Sequence, residues 1–168
     1  MPNFVLENGG TILKKVILSL IAAAVIFTSA APSTYASEVK LESVVNQVLG
    51  TPYLYGGTTT SGFDCSGFIL YVLNKFNVDD LPRTSQSQAR VGTPVSKEDL
   101  RVGDLVFFNT FGKGISHAGI YIGDGQFAHS SSRKGVRISK LSDAYYQDRY
   151  VTARRVVNEQ SYSKMVSE

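Results

Sequence analysis

The chain has 168 residues, 43% of them hydrophobic, and 17 Lys and Arg against 14 Asp and Glu give it a net charge of +3. That length fits one domain with its own core, and so mild a charge excludes the clustered basic face of a nucleic-acid binder. A single cysteine, Cys65, excludes an internal disulfide.

Lys14 and Lys15 precede the 12-residue apolar run from Val16 to Phe27, and small residues lead on to Thr34-Tyr35-Ala36. A charged, then apolar, then small-residue order predicts a secretory signal peptide over residues 1–36. The run is short of the ~20 residues that a membrane span needs. Removing 36 of the 168 residues leaves 132, with 15 basic and 13 acidic side chains and a net charge of +2. The expected product is a secreted, monomeric domain over residues 37–168, outside the cell or in its wall and off the membrane once cleaved. A mild positive charge suits residence near anionic envelope polymers. With no Cys at the end of the signal region, lipid attachment through an N-terminal cysteine is excluded. A free thiol in an oxidising compartment calls for a chemical reason.

Leu41, Val44, Val45, Val48 and Leu49 follow the spacing of an amphipathic helix, with Ser37 as its cap and Gly50 and Pro52 as its stop. A Gly- and Thr-rich loop then leads to a second helix, whose buried stripe is Phe68, Ile69, Val72, Leu73 and Phe76. Asp64 is the natural N-cap of that helix, which sets Cys65 at its first turn. A shorter helical piece is expected from Ser85 to Arg90.

The second half changes character. Segments 103–108, 117–122, 126–129, 136–138 and 149–157 read as short strands separated by Gly, Asn, Asp and Ser. Helices first and strands afterwards predict an α+β fold, N-terminal helices packed on a central antiparallel sheet.

Cys65 lies off the apolar stripe among polar and Gly neighbours, unlike a buried structural cysteine. At a helix mouth, unpaired N–H groups lower a thiol's pKa and can also hold an oxyanion. A cysteine nucleophile needs a base, and the base needs an orienting partner. The only histidines, His117 and His129, fall in one predicted hairpin around Gly123-Asp124-Gly125. A two-residue turn, Asp124-Gly125, would pair residue 120 with 129 and put the histidines on opposite faces. A three-residue loop would pair 121 with 127 and 119 with 129, which puts them on one face. The second register leaves Ala118, Ile120, Ile122 and Ala128 together as an apolar core face, so burial favours it. Cys65, His117 and His129 could also be three zinc ligands with one open position, but no HxxxH, HExxH or CxxC spacing supports that.

At this point the chain resembles the NlpC/P60 cell-wall cysteine peptidases, papain-like in fold. The matching stretches are Tyr53-Leu54-Tyr55-Gly56-Gly57, Phe63-Asp64-Cys65-Ser66-Gly67-Phe68, Leu81-Pro82-Arg83-Thr84-Ser85, Gly103 to Phe108, and Ser116 to Gly123 with the His129 that follows. They occur in the family's order and span about residues 41–157.

The resemblance implies that Cys65 is the nucleophile, His117 the general base and acid, and His129 the residue that orients His117. It implies a substrate, the peptidoglycan stem peptide, and a bond, the γ-D-glutamyl link to diaminopimelate or Lys. Tyr55, Asp64, Ser66, Arg83 and Ser116 are carried over as substrate-binding candidates, and neither a metal nor an organic cofactor is expected. Relatives often carry Trp near the Gly pair, and this chain has none. Two alternatives share part of these expectations. One is a papain-like amidase of the muramoyl–L-alanine bond or a cross-bridge endopeptidase; the other is a wall-binding module with a silent site.

Overall fold

The computed structural model describes residues 40–166. The signal peptide expected over 1–36 and the Ser37 cap lie outside them.

Helix α1 (Leu41–Val48) turns Leu41, Val44, Val45 and Val48 inward. Leu49, expected to extend this stripe, is instead the C-cap and 43% exposed. Gly50 at φ 80° takes the chain off the helical path there, a conformation that glycine adopts at little cost. A small hairpin, β1 (Thr58–Thr59) and β2 (Gly62–Phe63), leads into α2 (Cys65–Asn74). The expected stripe of α2 holds: Phe68, Ile69, Val72 and Leu73 are fully buried, and Phe76 follows them just past the helix end. The short α3 (Ser85–Gln88) is capped by Thr84, whose side chain accepts the Ser87 N–H.

The chain then builds one six-stranded sheet. Its strands are β3 (Thr93–Val95), β4 (Leu105–Phe108), β5 (His117–Gly123), β6 (Gln126–Ser131), β7 (Gly135–Lys140) and β8 (Tyr150–Arg155). Their spatial order is β3-β8-β4-β5-β6-β7, antiparallel throughout. Helix α4 (Ala144–Gln147) sits between β7 and β8, and α5 (Glu159–Val166) follows β8. This is the expected α+β arrangement. Strand β3, α4 and α5 have no counterpart in the sequence reading. Pro94 within β3 is tolerated because β3 is an edge strand, where a missing N–H need not break a ladder.

The sheet is apolar on both faces. Leu105, Phe107, Ala118, Ile120 and Ala128 pack with α1, α2 and Met165 of α5 in the main core. Val106, Phe108, Phe127 and Ala153 form a second, smaller core on the other face, closed over by Tyr146 and Tyr150. Strand β4 therefore reads as an unbroken apolar run, Leu-Val-Phe-Phe, because both of its faces are covered.

The β5–β6 hairpin reaches the expected register by another route. The turn is the two-residue Asp124-Gly125, with both residues at positive φ (50° and 69°), and Gly123 pairs with Gln126 across it. A bulge between Tyr121 and Gly123 then shifts the register, so that Tyr121 pairs with Phe127 and Ile120 with Ala128. The expected three-residue loop is thus replaced by a tight turn plus one extra residue in β5. Its consequence for the histidines is the expected one: His117 and His129 share a face.

Candidate active site

Asp64 fixes the start of α2 as the sequence suggested. Its Oδ1 accepts the Gly67 N–H at 2.7 Å and its Oδ2 accepts the Gly56 N–H at 3.0 Å. The Arg83 guanidinium forks onto the same carboxylate, Nη1 donating to Oδ1 at 3.0 Å and Nη2 to Oδ2 at 2.6 Å. Arg83 Nη1 also donates to Ser66 Oγ at 2.9 Å, and that hydroxyl donates to Asp64 Oδ1 at 3.2 Å. Burial works against the Asp64 charge, but the bonds from Arg83, Gly67 and Gly56 outweigh it and hold its pKa below the usual carboxylate range. Asp64, Ser66 and Arg83, expected separately, are thus one network under the first turn of α2.

Glycines make this corner possible. A Cβ on Gly67 would run into the Gly57 carbonyl oxygen, and that oxygen accepts the Asp64 N–H at 3.1 Å. The Gly56-Gly57 and Cys65-Ser66-Gly67 stretches are far apart in neither space nor purpose: one backbone passes directly beneath the other.

Cys65 is partly buried. Burial pushes its thiol pKa up and the nearby Asp64 charge adds to this, while the backbone N–H groups of Ala118, Ser66 and Cys65 itself pull it down. The donors expected at the helix mouth are present, yet desolvation outweighs them and the resting thiol is protonated. This differs from the sequence expectation of an activated thiolate.

The histidines form a direct pair. His117 Nε2 and His129 Nδ1 lie 2.9 Å apart with the rings nearly perpendicular, at 88°. His129 is fully buried, stacked on Phe127 at 4.9 Å between ring centroids. Its Nε2 meets Ser139 Oγ at 3.0 Å and Tyr146 Oη at 3.3 Å. Burial lowers His117 to a pKa of about 4. Burial, His117 and the Arg137 charge together hold His129 lower still, so both rings are neutral. With Nε2 of His117 engaged by His129, its Nδ1 is the nitrogen left for the thiol.

Cys65 and His117 line one cavity of about 900 Å³, a size suited to a small ligand. Tyr55, Asp64, Ser66, Arg83 and Ser116 also line it, whereas His129 stands behind His117. Tyr55 is 89% exposed at the mouth. The Ser116 hydroxyl is engaged by its own loop, accepting the Thr110 N–H at 2.7 Å and the Phe111 N–H at 3.2 Å. Tyr53, not singled out from the sequence, lies near enough to Cys65 and Asp64 that burial first, and then their charges, raise its phenol pKa. Its signal was the alternation of an extended segment, which puts residues 53 and 55 on one side. Ser139, Tyr146 and Arg137 were also missed; nothing in their local sequence shows that β7 and α4 fold over His129. Among the described residues, no group of three His, Cys, Asp or Glu side chains is placed to hold a metal ion.

Fold and site together define an α+β domain with a helix-mouth cysteine and a cavity-lining histidine backed by a buried one. A model of the NlpC/P60 family matches residues 50–155, and the chain belongs to that family. It is 49% identical over 121 residues to the probable peptidoglycan endopeptidase LytE of Bacillus subtilis, covering 69% of this chain and 34% of that protein. It is 46% identical over 109 residues to the probable endopeptidase NlpC of Escherichia coli, covering 64% of this chain and 70% of that one. The γ-DL-glutamyl hydrolase of B. subtilis is 40% identical over 132 residues, 77% of this chain and 32% of that protein. Among solved structures, an NlpC/P60 family protein from Bacillus cereus superposes with a TM-score of 0.63 at 36% identity, over 70% of this chain and 40% of that one. This chain therefore spans only about a third of two of those three relatives.

Proposed function

We propose that the domain is a cysteine endopeptidase of peptidoglycan stem peptides, acting on the γ-D-glutamyl bond to diaminopimelate or Lys. The observation that carries this reading is that Cys65 and His117 line one cavity, with His129 held 2.9 Å behind His117. The family's named peptidoglycan endopeptidase and γ-DL-glutamyl hydrolase support the substrate and bond class. Export through residues 1–36 belongs to the same proposal, and N-terminal sequencing of the released protein should begin at Ser37.

In this mechanism His117 Nε2–H donates to His129 Nδ1, and His129 Nε2–H donates to Ser139 Oγ. That tautomer leaves a lone pair on His117 Nδ1. As Cys65 Sγ attacks the amide carbon, His117 Nδ1 takes the thiol proton, so the neutral resting pair becomes charged only during attack. N–H groups at the mouth of α2 stabilise the oxyanion. The imidazolium then gives its proton to the leaving amine as the C–N bond breaks and a thioester remains. Water, losing a proton to His117, attacks the thioester, and the acid and the thiol are released. Asp64 and Arg83 act as positioning residues that hold the first turn of α2, and Tyr55, Ser66 and Ser116 border the peptide.

Mass spectrometry of digested muropeptides tests the reading. Release of the peptide that begins with diaminopimelate or Lys, leaving L-Ala–D-Glu on the muramoyl sugar and lost in Cys65→Ala, supports it. Intact stem peptides would assign a muramoyl–L-alanine amidase instead, and binding without turnover would assign a wall-binding module.

A further inference from the structure

We infer that Arg133, Lys134 and Arg137 form a carboxylate-binding wall of the cavity, which takes the free α-carboxylate of the γ-linked glutamyl residue. The inference rests on the γ-glutamyl reading above and narrows its substrate to peptides that keep this charge.

The charged side chains lining the cavity are four cations, Arg83, Arg133, Lys134 and Arg137, and one acid, Asp64. Asp64 is already matched by the fork of Arg83. Among the described residues, the ion pairs are those of Arg83, Arg101 and Arg155, so the other three cavity cations have no acidic partner. The lining thus carries an unbalanced positive charge on one side of the site.

Placement follows from register. Arg137 stands opposite His129 in the β6–β7 ladder and is half-buried. Its charge is felt at both His129 and Tyr146, which puts the guanidinium beside the catalytic pair. Arg133 and Lys134 sit on the exposed turn between β6 and β7 at the same cavity.

The chemistry of a γ-link supplies the matching anion. Peptide attachment through the side chain leaves the α-carboxylate free, a few bonds from the scissile carbonyl. An α-linked glutamyl peptide has no carboxylate at that place. A guanidinium offers two parallel N–H donors to such a group, in a partly enclosed site where the pair is less screened than in bulk water. Replacing the carboxylate with a carboxamide removes the charge while nearly keeping the shape.

The test compares L-Ala-γ-D-Glu-L-Lys with its α-carboxamide counterpart, using the full chain and the variants R137Q, R137K and R133Q/K134Q. The acid peptide should show a kcat/KM about tenfold higher, with the gap narrowing as salt is raised. R137Q should close most of that gap through KM, and R137K should retain part of it. The R133Q/K134Q variant, altered only on an exposed turn, keeps the test open if R137Q does not fold. Equal kcat/KM for the two peptides, or a gap unchanged in both charge-removing variants, overturns the inference and leaves γ-glutamyl hydrolysis standing. If neither peptide is cut, the functional reading falls, and calorimetry on Cys65→Ala decides the inference alone. Tighter binding of the acid peptide then upholds it, and equal or absent binding overturns it.

Discussion

His117 Nε2 faces His129 Nδ1 at 2.9 Å, and the second nitrogen of His129 faces Ser139 Oγ at 3.0 Å, so one imidazole is held by a chain of partners leading into the fold. A neutral ring at the end of such a chain is fixed in tautomer and direction, which is what an orienting partner contributes to a base.

The first expected outcome concerns that chain. His129→Leu keeps bulk against Phe127 but removes the acceptor, and it should lower kcat about 10²-fold with little change in KM. His129→Asn, which can still accept from His117 Nε2, should recover part of the loss. Steady-state kinetics on a stem tripeptide reads both, and equal rates for the two variants would rule out tautomer control.

The pH profile separates two mechanisms. His117 must be neutral to act as the base, and burial sets its pKa at about 4. The acidic limb of kcat/KM should therefore fall near pH 4, with activity retained through pH 5 to 6. A basic limb below the ordinary thiol range, where an imidazolium gives up its proton, would instead point to a preformed thiolate–imidazolium pair.

The same burial gives stability a direction with pH. In the unfolded chain His117 titrates near its ordinary value of 6.5, whereas in the fold it does so at about 4. Above pH 6.5 neither state is protonated and stability is intact. Between 6.5 and about 4 the unfolded chain binds the extra proton, so stability falls as pH falls, by roughly 3 kcal/mol at the lower end. His129 acts in the same sense, since its pKa is also depressed. Denaturant melts across this window should show the decline, and His117→Gln should flatten part of it.

Gly67→Ala reverses an ordinary rule. Within a helix, alanine is favoured over glycine by about 1 kcal/mol. Here the added methyl meets the Gly57 carbonyl, a backbone atom that cannot swing away. The variant should lose about 1–3 kcal/mol by thermal melting, and activity with it, since the Asp64 cap bonds through the same two segments.

Arg83→Ala should leave the Asp64 carboxylate without its forked partner. The Arg83 side chain is 40% exposed, so the pair is partly screened, and a loss of about 1–2 kcal/mol is expected. Arg83→Lys restores charge without the fork and should recover less than half of that loss. Differential scanning calorimetry of the three proteins checks the order.

What the sequence made legible has a physical pattern. Periodicity located α1, α2 and most of the sheet, because burial on one face repeats at the period of the element. It failed at Leu49, where Gly50 ends the helix before the stripe does. It also failed at β3 and α4, which carry little apolar periodicity. Among site residues, Cys65 and the two histidines stood out because their types are rare in this chain and fall at a helix start and in one hairpin. Ser139 and Tyr146 carried no such mark, since their part depends on contacts formed only when β7 and α4 close over His129. The thiol's protonation state was misjudged for a related reason: the helix mouth is local, whereas desolvation is a property of the whole fold.

The extra residue in β5 has a consequence for how this hairpin can vary. The tight turn alone would set the 12-residue interval between the histidines out of phase, and the bulge between Tyr121 and Gly123 brings it back. Loss of that extra residue would leave a regular ladder on the same turn, with Tyr121 still opposite Phe127 and both histidines on one face, whereas a regular ladder at the present length would turn His117 away from the face of His129. What this hairpin must keep is therefore its pairing phase and not its length: a β5 shorter by the bulged residue serves the histidines equally, and a β5 of the present length serves them only with the bulge.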